Sequence, residues 1–286
     1  MLRRSISLLV VTLLVAGCAA QGSPKSSATV ENFPPTELVQ SLHLPFDAYT
    51  LSLAELYTLE NAQDWLTREC MTARRYDWKV IERPTKLKDL RNRRRYGVVE
   101  MEIARQYGYH VPAGLITPLA VDQTSDRRDD SLTEQQKETA YGEGGCAREA
   151  VTRLRPKADP DLGLLQRLDR GSLADSQKDS QVAAAMRSWQ ACVRRLGFDY
   201  RDPFAAMSDA RWWADASAPA SSQEIAVAVA DVGCKEQTGL VTAWHAAEAR
   251  VQAEAIRTHP DEFQELRAAV TAEVTAAEAV LAQQDR

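Results

Sequence analysis

Long hydrophobic runs are what this 286-residue chain most plainly lacks. The one candidate, Ile6 to Val15, is short and interrupted by Ser7 and Thr12, whereas a membrane-spanning helix needs about 20 apolar residues. Alternating runs of β-branched residues are nearly absent, which argues against a sheet. Histidine is scarce, with four in the chain and no His-Glu-x-x-His pattern, so no metal centre is expected. His245 and Glu248 share an i, i+3 spacing, but a metal site would need a further ligand that the pattern does not supply. No Gly-x-Ser-x-Gly elbow is present. Gly142-Glu143-Gly144-Gly145 is not followed by Lys-Ser/Thr, so it reads as a junction positioning Cys146 and not as a phosphate cradle; no cofactor is expected. A net charge of −5 argues against nucleic acid as a partner.

What is present begins at the start of the chain. Arg3 and Arg4 precede the short apolar run, and Val15-Ala16-Gly17-Cys18 closes it with small residues on a cysteine. That is the pattern of a secretory signal over residues 1–17, and it looks like a bacterial lipobox, which would make Cys18 the lipidated N-terminus. Residues 18–35 are rich in Ser, Ala, Pro and Gly without an apolar period, and read as a flexible tether. The expected location is the extracytoplasmic face of the cell membrane, with the lipid on Cys18 as the membrane contact.

Four further cysteines, Cys70, Cys146, Cys192 and Cys234, suggest two disulfides in an oxidising compartment, with three possible connectivities. Loop entropy does not choose, since closing either Cys70–Cys146 or Cys192–Cys234 contributes about 4 kcal/mol. A weak internal repeat bears on the choice. Cys70 is followed by Tyr76-Asp77-Trp78, and Cys192 by Phe198-Asp199-Tyr200; Gly145-Cys146 and Gly233-Cys234 come downstream of each. Symmetry of roles favours Cys70–Cys146 and Cys192–Cys234.

The pattern elsewhere is helical. Leu59, Ala62, Leu66, Cys70 and Ala73 fall on one helix face, as do Val182, Met186, Trp189, Val193 and Leu196, with Gly197 as a stop. Ser221-Ser222-Gln223-Glu224 has the form of a capping box opening a long helix toward Thr258. Thr258-His259-Pro260 is a break and restart, and Phe263, Leu266, Val270, Val274, Ala277 and Leu281 form a further stripe. The expected fold is all-α, in two related halves (36–158 and 159–286), each with a disulfide, ending in a long antiparallel helical hairpin. The first half carries a loop-rich insertion over residues 79–131.

That insertion holds the candidate binding surface. Between Lys79 and Arg95 eight basic residues stand against Glu82 and Asp89, a local charge of 8 − 2 = +6. Arg93, Arg94 and Arg95 adjoin Tyr96, Tyr107, Tyr109 and His110, with Trp212 and Trp213 as further aromatics. Aromatics beside basic residues on irregular chain suit a wall polymer or an envelope protein, and a basic surface near a membrane would meet anionic head groups.

The lipobox, ECMTARRYDW (69–78), RRRYGV (93–98), ARQYGYH (104–110), YGEGGCAREA (141–150), WQACVRRLGFDY (189–200) and VADVGCKEQTGLVTAWHAAEARVQ (229–252) together resemble the uncharacterised secreted lipoproteins of actinobacteria. The resemblance spans about residues 50–257. It implies a lipid anchor and a helical, disulfide-containing ectodomain, and carries no activity and no catalytic residues. The expected function is a non-enzymatic binding or adaptor lipoprotein. The alternatives are an envelope hydrolase using a carboxylate pair or His110, and a structural envelope component.

Overall fold

The computed structural model describes residues 33–155, 161–215 and 217–284. The expected signal segment, Cys18 and the tether as far as residue 32 lie outside the described residues. The tether ends earlier than the composition suggests: Phe33 is buried, edge-on to Tyr107 at 5.6 Å, and its carbonyl accepts a hydrogen bond from Arg93.

The chain is all-α; among the described residues there is no strand. Short α1 (Glu37–Ser41) and a 3-10 turn (Pro45–Tyr49) lead into α2 (Leu53–Ala73). The latter opens on a reciprocal capping box, in which Glu55 N donates to Ser52 Oγ (3.2 Å) and Ser52 N to Glu55 Oε2 (2.7 Å). Then come α3 (Met101–Tyr107), α4 (Leu119–Asp130), α5 (Glu134–Tyr141), α6 (Cys146–Leu154), α7 (Leu162–Ser176), α8 (Ser180–Arg195), α9 (Pro203–Met207), α10 (Ser222–Thr238), α11 (Leu240–Thr258) and α12 (Pro260–Gln284).

The expected helix from Ser221 to Thr258 is two helices. Gly239 sits in the left-handed region at φ 64°, ends α10 and starts α11. The capping box at Ser221 is only half made: Glu224 N donates to Ser221 Oγ, but the Glu224 carboxylate turns inward to other partners. Leu196, counted on the buried face of α8, is exposed, because the helix has already ended at Arg195.

Two packing regions organise the molecule. In one, α2 rests on α6 and α12, with Leu59, Ala62, Leu66, Ala150, Leu154 and Ala277 closing the contact. In the other, α10 packs on α3 and α8, and α11 on α7 and α8, around Trp189 and Trp244, both fully buried. Each such buried side chain contributes roughly 1.5–3 kcal/mol. Packing crosses residues 158/159. The second half's α12 lies on the first half's α2, while α3 and residues 90–115 of the first half share one core with α8, α10 and α11. Correspondingly, α11 and α12 meet at His259–Pro260 and then follow different partners, because the apolar stripe of α12 is covered by α2.

The cysteines pair in sequence order. Cys70 joins Cys146 (Cα–Cα 5.6 Å) and Cys192 joins Cys234 (5.7 Å). Five residues after Cys70 and Cys192 the chain turns left-handed, at Arg75 (φ 65°) and Gly197 (φ 90°). The next amide then closes the helix end, Tyr76 N to Met71 O (2.9 Å) and Phe198 N to Val193 O (3.0 Å). The partner cysteines differ, since Cys146 is the first residue of α6 and Cys234 lies toward the C-terminal end of α10.

Candidate functional site

Arg93, Arg94, Arg95 and Tyr96 do not form a surface. The loop that carries them threads between α10, α11 and the N-terminal segment, and three of the four are tied to carboxylates. Arg93 is 1% exposed; its Nε and Nη2 donate to Glu100 Oε2 (2.7 Å) and Oε1 (2.9 Å), and its Nη1 to Leu115 O. Arg95 pairs with Glu248, which is fully buried, and with Asp169 on α7. Tyr96 Oη donates to the other oxygen of Glu248 (2.8 Å), and Ser172 Oγ adds a third donor. Burial, and behind it the Glu248 charge, pushes the Tyr96 phenol far above its ordinary value. Arg94 Nη2 donates to Tyr109 O (2.7 Å), and burial lowers its pKa.

The expected basic surface is therefore mostly internal. Arg83 pairs with Glu60 and Asp64, and Arg91 with Asp89. Of the eight basic residues, Lys79, Lys86 and Lys88 are exposed, and Lys88 donates to Gln40. A guanidinium taken out of water must find a carboxylate or carbonyls, and the fold supplies both.

The same logic holds for the other buried acids. Asp64 accepts from Trp78 Nε1 (2.9 Å), Ile81 N (2.8 Å) and Arg128 Nη1 (2.7 Å). Asp231 lies one turn before Lys235 on α10, Nζ to Oδ2 2.9 Å, with both side chains almost wholly buried. Trp189 Nε1 donates to Asp231 Oδ1 (3.0 Å), and Lys235 Nζ also donates to Val98 O (2.8 Å). Burial raises the Asp231 pKa and lowers that of Lys235, while each partner's charge opposes the shift. Tyr109 Oη reaches the same carboxylate at 3.5 Å. Among the described residues five carboxylates are buried, Asp64, Glu100, Glu224, Asp231 and Glu248, and each is engaged by cations, histidine or backbone amides.

One group of the expected aromatics does reach solvent. His110 follows Gly108, which has φ 56° and sits so close to Glu224 that a Cβ there would fall 2.6 Å from its carboxylate oxygen. This close approach lets Tyr109 N donate to Glu224 Oε1 (2.8 Å) and places His110 Nδ1 2.8 Å from the same oxygen. With Nδ1 engaged by Glu224, Nε2 is the ring's remaining polar atom. Nε2 is buried and has no partner among the described residues. The indole of Trp213 lies over the imidazole at 4.7 Å, 41% exposed, with its own N–H bonded to Met207 O (3.0 Å). Val111 and Ile116, both exposed, belong to the same loop. Trp212 is buried, donating to Ala206 O, and Tyr107 packs on Phe33.

His245 and Glu248 do not converge on a ligand: His245 Nε2 meets His43 O, and Glu248 faces Arg95 and Tyr96. Gly145 caps α6, as a junction before Cys146 requires. What the sequence did not single out is the set of acids that receive the arginines, and the partnership of Glu224 with His110. Glu224 carried only a capping signal. Compared with protein families, characterised proteins and solved structures, this chain returns no match.

Proposed function

We propose that this protein is a lipid-anchored component of the cell envelope, held through Cys18 on the extracytoplasmic face, and that it serves as a non-enzymatic binding or adaptor protein. The observation that carries the anchoring is the leader ending in Val15-Ala16-Gly17-Cys18, ahead of a body whose remaining four cysteines pair into two disulfides. Paired thiols suit an oxidising compartment. The binding role is supported by the engagement of the buried carboxylates in structural contacts and by the exposed rim of Trp213, Val111 and Ile116, where an indole stacked on the partly buried His110 ring meets solvent-facing apolar chain.

The anchor is tested by growing cells that express the protein with labelled palmitate. Label is expected in the wild type and none in Cys18→Ala, with the body digested by protease added outside the membrane. Unlabelled wild type, or a body shielded from that protease, removes the placement.

One observation favours a second reading. His110, oriented by a buried Glu224 through Nδ1, has the second-partner arrangement of a general base. An envelope hydrolase working through His110, without a carboxylate pair, is tested by incubating purified wall with wild type and His110→Ala; release of fragments by the first alone supports it.

A further inference from the structure

The two disulfides are chemically unlike. Cys192 and Cys234 are 5% and 1% exposed, inside the main core between α8 and α10. Cys146 is fully buried, but its partner Cys70 is only partly covered and lines a surface pocket of about 310 Å³ with Leu66, Arg74, Glu149, Ala150 and Arg153. Glu149 Oε2 stands 3.4 Å from Cys70 Sγ, while its other oxygen is held by Arg74 Nη2 at 2.6 Å. One sulfur therefore faces a recess with room for a small molecule, and the other does not.

The buried sulfur is placed to leave. Cys146 is the first residue of the nine-residue α6, and Gly145 before it provides no side-chain cap for the first-turn amides. Amides at a helix start stabilise a thiolate, which offsets the apolar burial of Cys146 beside Met71, Trp78 and Ala140, and a stabilised thiolate is the better leaving group. Cys70 has the opposite surroundings, near the end of α2 and beside a carboxylate. Cys234 lies near the far end of α10 and has no helix start to favour it.

We propose that Cys70–Cys146 is a thiol-exchange site for low-molecular-weight thiols, which form a mixed disulfide on Cys70 and release Cys146. The incoming thiolate's lone pair forms the new bond to Cys70 Sγ; the Cys70–Cys146 bond breaks, and its electron pair leaves on Cys146 Sγ. The external thiol is the only co-reactant, and the number of S–S bonds is unchanged. Attack by the freed Cys146 on Cys70 reverses the step. Leu59, Ala62 and Leu66 keep α2 packed on Ala150 and Leu154 when the bond opens, so exchange does not require unfolding. The inference goes beyond the binding role and stands without it.

The test uses the folded full-length protein with both disulfides intact, exposed to reduced glutathione or free cysteine as probes, quenched in acid, alkylated and mapped by mass spectrometry. The expected products carry the probe on Cys70 and the alkyl group on Cys146, formed at least tenfold faster than any product at Cys192 or Cys234. Glu149→Gln removes the charge nearest the attacked sulfur and is expected to raise the rate about fivefold, the effect of one unit charge at about 4 Å in water. The proposal is overturned by equal rates at the two disulfides, by a probe found on Cys146, or by an unchanged rate in Glu149→Gln. It is overturned as well if the small thiols leave the bond intact and only a thioredoxin-like protein opens it.

Discussion

Arg93 and Glu100 hold each other seven residues apart, with the guanidinium Nε 2.7 Å from one carboxylate oxygen and both side chains buried. The pair pins the loop between them, and Arg93 also ties that loop to Phe33 and Leu115 through their carbonyls. A run of three arginines and a tyrosine that reads as a binding patch is thereby turned into an internal clamp.

Removing one partner leaves a buried charge unmatched, which costs about 3–5 kcal/mol. Arg93→Ala and Glu100→Ala are each expected to lower the urea unfolding free energy by that amount. The Arg93→Met/Glu100→Leu double variant should recover most of the loss. If Arg93→Ala unfolds at the wild-type denaturant concentration, the clamp is not closed in solution.

Much of the fold was legible because helices advertise themselves locally. The stripe Leu59–Ala62–Leu66, the stop at Gly197 and the restart at Pro260 all depend on residues within one or two turns. The inward fate of Arg95 was not legible, since its partner Glu248 is 153 residues away and a charge run without known partners reads as solvated. Gly239 shows the opposite failure: one left-handed residue splits an unbroken apolar pattern, and a lone glycine in a helical run does not by itself announce a break. His110 and Trp213 were both noticed as aromatic candidates, but their stacking depends on Gly108 bringing the loop against Glu224, which only the folded chain displays.

Trp213 offers a direct test of the exposed rim. The residue is 41% exposed, stacks on His110 and donates its N–H to Met207 O, so Trp213→Ala is expected to lower stability by roughly 1–3 kcal/mol and leave the protein folded. Co-sedimentation with purified wall polymer, or pull-down of envelope partners, is expected to weaken at least tenfold in the same variant. Undiminished binding would move the interaction surface elsewhere.

Tyr141 gives an alkaline signature. Burial raises its phenol pKa; the Arg128 guanidinium pulls it back, the hydrogen bond to Asp129 adds to the rise, and the result is about 12 against the ordinary 10. A folded value above the unfolded one means that the protonated phenol favours the native state. That contribution is complete below pH 10 and is lost as pH climbs through about 12. The difference in phenolate absorbance between wild type and Tyr141→Phe should therefore rise near pH 12. A difference step at pH 10 would show the ring free in solution.

Arg75 and Gly197 occupy equivalent left-handed positions, five residues after Cys70 and Cys192, and only one of them is glycine. A side chain with a Cβ at positive φ costs roughly 1–2 kcal/mol, while glycine carries an entropic cost of roughly 0.5–1 kcal/mol in the unfolded chain. The steric gain exceeds the entropic loss, and the Arg75 side chain is exposed. Arg75→Gly is accordingly expected to stabilise the protein by about 0.5–1 kcal/mol, measured as a higher urea midpoint at unchanged slope. Gly197→Ala at the matching site should destabilise it by a similar amount. Should both substitutions shift the midpoint in the same direction, the two helix ends would not share one geometry, and the repeat would be one of sequence only.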